Sequence, residues 1–275
     1  MEEGESRRPE KQRRRCCVIL SVAVALIVII IVAVVLGLNG RQEESEIKSI
    51  FFSRCEKFKG NDCQKIWGAF QQAYVNKDPC TVPVEAYDPL LAAAPFKSEC
   101  GRMMFWSKTK DVVRDFAEKT CFSTLEDTLL GSVLDELTWC GKQGSEDTFT
   151  TGCPTRRDCE NNPVSSFWRS ASAAFADVAC GNVTAMLNGS IPTPFSPASI
   201  FGSIEVKRFN ATRTKSLNVV MVIQKNAVTN CTNASLKDLQ GEMDTKGITF
   251  NCKDVTESQI QECSSQPVES CGTCW

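Results

Sequence analysis

From Val18 to Leu38 the chain reads VILSVAVALIVIIIVAVVLGL, a run without a single charge. At about 1.5 Å of rise per residue, such a run is long enough to cross the ~30 Å hydrocarbon core of a bilayer as one helix. Arg7, Arg8, Lys11, Arg13, Arg14 and Arg15 precede it, and Asn39, Gly40, Arg41, Gln42, Glu43 and Glu44 follow. The positive-inside bias then places residues 1–17 in the cytosol as a short tail, 18–38 in the membrane, and the rest outside the cell. That is a single-pass type II layout, with a signal-anchor rather than a cleaved signal peptide. The apolar run is too long for a signal h-region, and no clean small-x-small site follows it. The tail's arginines also suit contact with anionic lipid, and Cys16 and Cys17 at the inner edge are candidates for palmitoylation.

An exterior location decides how the cysteines read. Of 16 in the chain, 14 follow the anchor. An even number in an oxidising compartment points to as many as seven disulfides. Zinc is the alternative for Cys153 with Cys159, or Cys271 with Cys274. Without histidine and without paired CxxC knuckles, no metal is expected. The absence of histidine also removes the Ser-His-Asp triad, Cys-His proteases and any histidine general base. Five N-x-S/T sequons at Asn182, Asn188, Asn210, Asn230 and Asn233 all fall on the outer side, as in a glycosylated ectodomain. The net charge of -2 gives no grip on a phosphate backbone, so no nucleic-acid partner is expected.

Residues 39–50 read as a polar stalk. Ile66, Trp67, Phe70 and Tyr74 stand at helical spacing within Arg54–Lys77, a stretch ended by Asp78-Pro79. VEAYDPLLAAA, 108–120 and 163–179 also read as helices. Ser123-Thr-Leu-Glu126 looks like a capping box opening a helix over 125–137. Residues 141–163 read as a loop stapled by cysteines. Short apolar or β-branched runs at 103–106, 183–189, 200–206, 217–224 and 248–252 predict buried strands of a small parallel sheet, with a helix at 236–243 between the last two. The expectation is an α/β, disulfide-rich fold. Its helical lobe is 51–99 with 124–179, its α/β lobe is 100–123 with 180–275, and a cleft lies between them.

No glycine-rich phosphate loop is present, so candidate chemistry rests on acids and aromatics. Trp106-Ser107-Lys108 and Trp168-Arg169-Ser170 place indoles beside hydroxyls and cations. They read as a stacking pair for a flat base or as packing, the commoner use of tryptophan. Glu126 and Asp127 suit a helix start, and capping alone explains them. Glu205 lies inside the apolar run IFGSIEV, where an unpaired carboxylate is costly. Read as a strand, that run either turns Glu205 to solvent or sets it at the ligand-binding end of an open α/β sheet.

Taken together, TLEDTLLG (124–131), DELTWCG (135–141), NNPVSSFW (161–168), AMLNGS (185–190) and FGSIEV (201–206) resemble the ADP-ribosyl cyclase / cyclic ADP-ribose hydrolase family, across roughly Cys55 to Cys271. The anchor resembles that of its type II transmembrane leukocyte ectoenzyme, not of its lipid-anchored relative. The resemblance implies an ectoenzyme that cleaves the nicotinamide–ribose bond of NAD, forms ADP-ribose and cyclic ADP-ribose, hydrolyses the latter, and exchanges bases on NADP. It implies Glu205 as the catalytic glutamate that stabilises the oxocarbenium-like ribose, Trp106 and Trp168 as cleft walls, and Glu126 and Asp135 around the nicotinamide. Ser107, Lys108, Ser172 and Phe201 would contact substrate. NAD is then a substrate, and no cofactor is expected. Two departures stand out: Ile200 where threonine is expected, and Lys108 in place of arginine. The same resemblance implies the pairs Cys55–Cys63, Cys80–Cys159, Cys100–Cys180, Cys140–Cys153, Cys231–Cys252 and Cys263–Cys271. That leaves Cys121 and Cys274 to pair with each other. Cys100 and Cys180 also carry an implied secondary role in hydrolysing the cyclic product, besides stapling the lobes. A homodimer is left open. The alternative is a surface receptor or adhesion protein of the same fold with weak turnover.

Overall fold

The structure, a computed structural model, describes residues 8–97, 99–266 and 275, with backbone alone at 8–21, 33, 36, 39 and 40. The first helix, α1, runs Arg8–Cys55. It contains the apolar run, but among the described residues no helix is long and apolar enough to cross a membrane, and side chains 18–21, 33 and 36 of that run lie outside the described set. The segment expected to be a stalk is helical and belongs to the folded body. Ile47, Phe51 and Cys55 recur every fourth residue and are buried. Phe51 packs against Trp67 and Phe70 at 5.2 and 5.8 Å. Glu43 accepts the hydroxyl of Thr151 and the backbone N–H of Thr150, the latter at 2.7 Å, and these bonds hold its carboxyl below the usual range against the desolvation that would raise it. The charges of this segment mask a one-sided apolar stripe.

Next come α2 (Cys63–Tyr74), a 3-10 turn at Val84–Tyr87, α3 (Asp88–Ala93), β1 (Met104–Ser107) and α4 (Lys110–Lys119). The helix expected over 125–137 is two pieces, a 3-10 turn at Leu125–Asp127 and α5 (Leu129–Leu134). Thr128 is extended between them, and its hydroxyl caps the N–H of Gly131 at 3.2 Å. The capping box joins Thr124 to Asp127, one residue later than the sequence pattern suggests, which leaves Glu126 uncommitted to the cap. The stapled loop contains a hairpin, β2 (Cys140–Lys142) and β3 (Ser145–Phe149), and α6 is Pro163–Asp177.

Strand β4 (Gly181–Asn188) leads through a long crossover into β5 (Thr214–Ile223), then α8 (Ala234–Lys246), β6 (Thr249–Thr256) and α9 (Glu257–Ser264). The crossover holds a π turn at Phe201–Glu205 running into α7 (Val206–Arg208). The run 200–206 is thus helical, contrary to the strand expectation. Phe201, Gly202, Glu205 and Val206 are buried while Ser203 and Lys207 are exposed, a period near four rather than two. Ser199 drives the turn. Its carbonyl accepts from Ser203 N at 2.8 Å, and its hydroxyl accepts from Gly202 N at 3.0 Å.

The main sheet has the order β1-β4-β5-β6, all parallel, with Phe105, Ala185, Val219 and Cys252 in register. Alternate residues serve two cores. Ala185, Leu187, Val219 and Met221 join one cluster with Phe70, Trp139 and Phe167 from the helical part. Met104, Met186, Val220 and Val255 join another with Val113 and Phe116 of α4 and Ile260 of α9. The helical and α/β parts therefore share a continuous core.

Among the described residues, disulfides join Cys55–Cys63, Cys80–Cys159, Cys100–Cys180, Cys140–Cys153 and Cys231–Cys252. Cys121 and Cys263 are also disulfide-bonded. Their expected partners, Cys274 and Cys271, lie outside the described residues. Cys100–Cys180 is not the expected staple between lobes. It ties two neighbouring strands of one sheet at their N-terminal ends, next to the 3.0 Å bond from Gly101 N to Cys180 O.

Candidate active site

A cavity of ≈ 350 Å³ opens where β1 ends and the π turn faces α6. Trp106, Ser107 and Lys108 enter it from β1 and the residue after it, and Trp168 and Phe175 enter from α6. Phe201 and Glu205 enter from the π turn, and Glu126 from the 3-10 turn. Lys108 adopts a left-handed backbone, φ 57°, and its carbonyl accepts from Asn188 Nδ2 at 2.8 Å, so the end of β4 fixes the turn that presents it. Trp168, Ser172 and Phe175 stand at i, i+4 and i+7 on one face of α6. That helix forms because Asn162 caps it through Ser165 N at 2.9 Å and Pro163 occupies its first turn.

Glu205 is only 7 % exposed. Burial pushes its carboxyl up to about 8, the nearby Glu126 charge adds to the rise, and a hydrogen bond with Ser172 opposes it. Glu126 in turn accepts the indole N–H of Trp106 at 3.2 Å. Ser172 does not line the cavity but holds the acid that does. Ile200 and Ser199 also line it, so the hydroxyl missing at position 200 has a neighbour at 199.

Asp135 falls elsewhere. It lies in an adjoining depression of ≈ 360 Å³ that shares only Trp106 and Glu126 with the cavity. Its carboxylate pairs with Lys110 at 3.1 Å and with Arg114, while Arg54 donates to its backbone oxygen at 2.7 Å. Those bonds tie α1, α4 and the end of α5 together, a structural use of a residue expected to touch nicotinamide. Cys100 and Cys180 precede the two strands, at the end of the sheet remote from the cavity. Arg156 and Phe175 also line the cavity, and no sequence motif marks them for it, while Leu125 lines it from within the run TLEDTLLG. In the sequence Phe175 shows only as a helix aromatic, and Arg156 sits in a loop whose direction no periodicity sets.

An acid buried at the floor of an indole-walled cleft, at the C-terminal edge of an open parallel sheet, defines a disulfide-rich α/β protein with a ligand pocket where such sheets carry one. A family model described as ADP-ribosyl cyclase matches residues 44–272. The chain is 36% identical over 221 residues to ADP-ribosyl cyclase/cyclic ADP-ribose hydrolase 1 of Oryctolagus cuniculus, covering 76% of this chain and 74% of that protein. It is 30% identical over 225 residues to ADP-ribosyl cyclase/cyclic ADP-ribose hydrolase 2 of Homo sapiens, covering 78% and 70%. A solved structure of porcine CD38 with a covalent intermediate superposes with TM-score 0.72 at 35% identity, covering 76% of this chain and 96% of that one. The chain belongs to the ADP-ribosyl cyclase family.

Proposed function

We propose that this chain cleaves the bond between nicotinamide and ribose in NAD, releasing ADP-ribose and cyclic ADP-ribose, and that it hydrolyses the cyclic product and exchanges bases on NADP. The observation that carries the reading is Glu205, buried in the same cavity as Trp106 and Trp168. Nicotinamide leaves as a neutral base, because the breaking C–N bond gives its electron pair to the pyridinium ring. No acid is needed. Positive charge then develops on the ribose, where a carboxylate in a poorly hydrated site stabilises it strongly. Water attacking that centre, with loss of its proton, gives ADP-ribose. The adenine ring nitrogen, folded back in the cleft, gives cyclic ADP-ribose. The aromatic walls restrict water and so bias the outcome. A receptor that had lost turnover would be expected to show an eroded pocket, whereas Glu205, Glu126 and both indoles converge here.

The test is product analysis after incubating the protein with NAD, together with its pH profile. Only the ionised carboxylate stabilises a cation, and Glu205 in the free protein is mostly neutral below about pH 8. The kcat/KM for nicotinamide release should therefore climb from pH 6 to about 8 and level off above. The limb in kcat should fall at lower pH, since a bound pyridinium cation favours the charged acid. A flat kcat/KM from pH 5 to 9 would count against Glu205 as the working group.

The type II anchor over 18–38 is part of the same reading, supported by the uncharged run and its basic N-terminal flank. The catalytic part would face outward and carry glycans. Of the sequons, Asn182, Asn210 and Asn230 are exposed, whereas Asn233 is half-buried, caps α8 and donates to Pro192 O and Thr229 Oγ1. Intact cells expressing the full chain should convert NAD supplied in the medium. Activity found only after lysis would reverse the orientation.

A further inference from the structure

Two cations line the catalytic cavity, Lys108 and Arg156, against two acids, Glu126 and Glu205. The acids are engaged with Trp106 and Ser172. Arg156 forms no ion pair among the described residues, and the acids beside it in the chain are occupied. Asp158 accepts both the N–H and the hydroxyl of Thr155 at 2.8 Å, bonds that hold its carboxyl below the usual range. Glu160 pairs with Arg169 at 3.6 Å. The loop that carries Arg156 is pinned on both sides, by Cys140–Cys153 before it and Cys80–Cys159 after it, and by the turn from Thr155 to Asp158 within it. A guanidinium is thus presented to the cavity from a braced backbone, with no carboxylate claiming it among the described residues.

We propose that Arg156 is a substrate-binding residue that takes a phosphate of the dinucleotide. The proposal rests on the reading that this cavity receives NAD or NADP. Those substrates bring a cationic ring, which suits the acids at the floor, and phosphates, which the acids would repel. A planar fork of donors matches phosphate oxygens, and charge-assisted bonds of this kind are about twice as strong as neutral ones. The phosphate is either the pyrophosphate common to both dinucleotides or the extra phosphate of NADP, and the two sources differ in outcome.

The experiment compares wild type, Arg156→Ala and Arg156→Lys in two measurements. One is calorimetric binding of ADP-ribose at low and high salt; the other is kcat and KM for NAD and NADP. If the pyrophosphate is the target, Arg156→Ala should weaken ADP-ribose about 10- to 100-fold, flatten the salt dependence and raise KM for both dinucleotides by a similar factor. If the 2′-phosphate is the target, KM for NADP alone should rise, with ADP-ribose binding unchanged. In either case kcat should stay within about threefold, and Arg156→Lys should restore part of the loss through its charge. An unchanged KM for both dinucleotides overturns the assignment. So does a fall in kcat at constant KM, or an equal loss in both variants accompanied by a lowered melting temperature. Wild type that binds ADP-ribose but releases no nicotinamide from NAD would defeat the proposed reaction while leaving the Arg156 assignment standing.

Discussion

Glu205→Gln should lower nicotinamide release from NAD by at least about 10³-fold and, above pH 8, make the protein more stable. Both effects come from one fact, that the carboxyl sits in a site which disfavours its charge. Removing a single preorganised group that meets developing charge costs on the order of 10²–10³ in rate, and a full charge in a buried site contributes at least as much. The stability effect has the opposite sign. The acid is raised from its ordinary value of 4.5 to about 8 in the fold. Its neutral form is the one the fold favours, so that contribution is complete below pH 4.5 and is lost as pH climbs through about 8. Glutamine does not titrate and keeps its neutral fit. The variant should melt close to wild type at pH 5 and several degrees higher at pH 9, corresponding to roughly 2–5 kcal/mol from a shift of this size. Calorimetric scans at both pH values, beside a nicotinamide assay, read out the pair. Turnover within tenfold of wild type would end the electrostatic mechanism, and equal melting at pH 9 would mean the carboxylate is better solvated than its burial implies. An active site that weakens the fold in this way is a familiar exchange of stability for function.

Much of this site is legible in the amino-acid order. The apolar runs at 183–189 and 217–224 lie in β4 and β5 because parallel strands buried on both faces must be apolar throughout. Glu205 stands out because an acid in an apolar run demands a reason. The run around it misleads. Ile200, Phe201 and Ile204 signal a strand by composition, while the serines at 199 and 203 direct the backbone through local hydrogen bonds that propensity does not weigh. The sequence pattern assigns Glu126 to a capping box one residue out of place. Only the observed cap on Asp127 shows that Glu126 is available to Trp106. Asp135 shows what local pattern leaves out. Its ion partners, Lys110 and Arg114, are more than twenty residues away, and no local pattern announces a bond across that distance. Arg156 is illegible for a similar reason, since its direction depends on two disulfides whose partners lie elsewhere in the chain.

Gly202→Ala should cost about 100-fold in kcat although it removes no functional group. A Cβ at this position would lie 2.3 Å from the carbonyl oxygen of Ser196 and 2.9 Å from Cα of Pro197. Both are backbone atoms in a proline-bounded loop, so no side chain can swing aside, and the π turn itself must move by about an ångström to restore normal contact. Glu205 closes that same turn three residues on, and its carboxyl is placed against Ser172 by the turn's packing on α6. Misplacement on that scale is enough to cost about 10²-fold where reacting groups must be aligned. The melting temperature should fall by several degrees, in keeping with an overpacking cost of roughly 1–3 kcal/mol. If the acid also leaves its desolvated position, the limb of the kcat/KM profile should shift below pH 8, a signature that simple loss of folded protein would not give. Gly241→Ala is the control. It lies within α8, where an added Cβ meets nothing within 4 Å. Alanine there should raise stability by about 0.5–1 kcal/mol through helix propensity and leave kcat unchanged. Were Gly202→Ala to turn over within threefold of wild type, the close approach of the π turn to Ser196 would not be what positions the acid, and Ser172 would become the group to test.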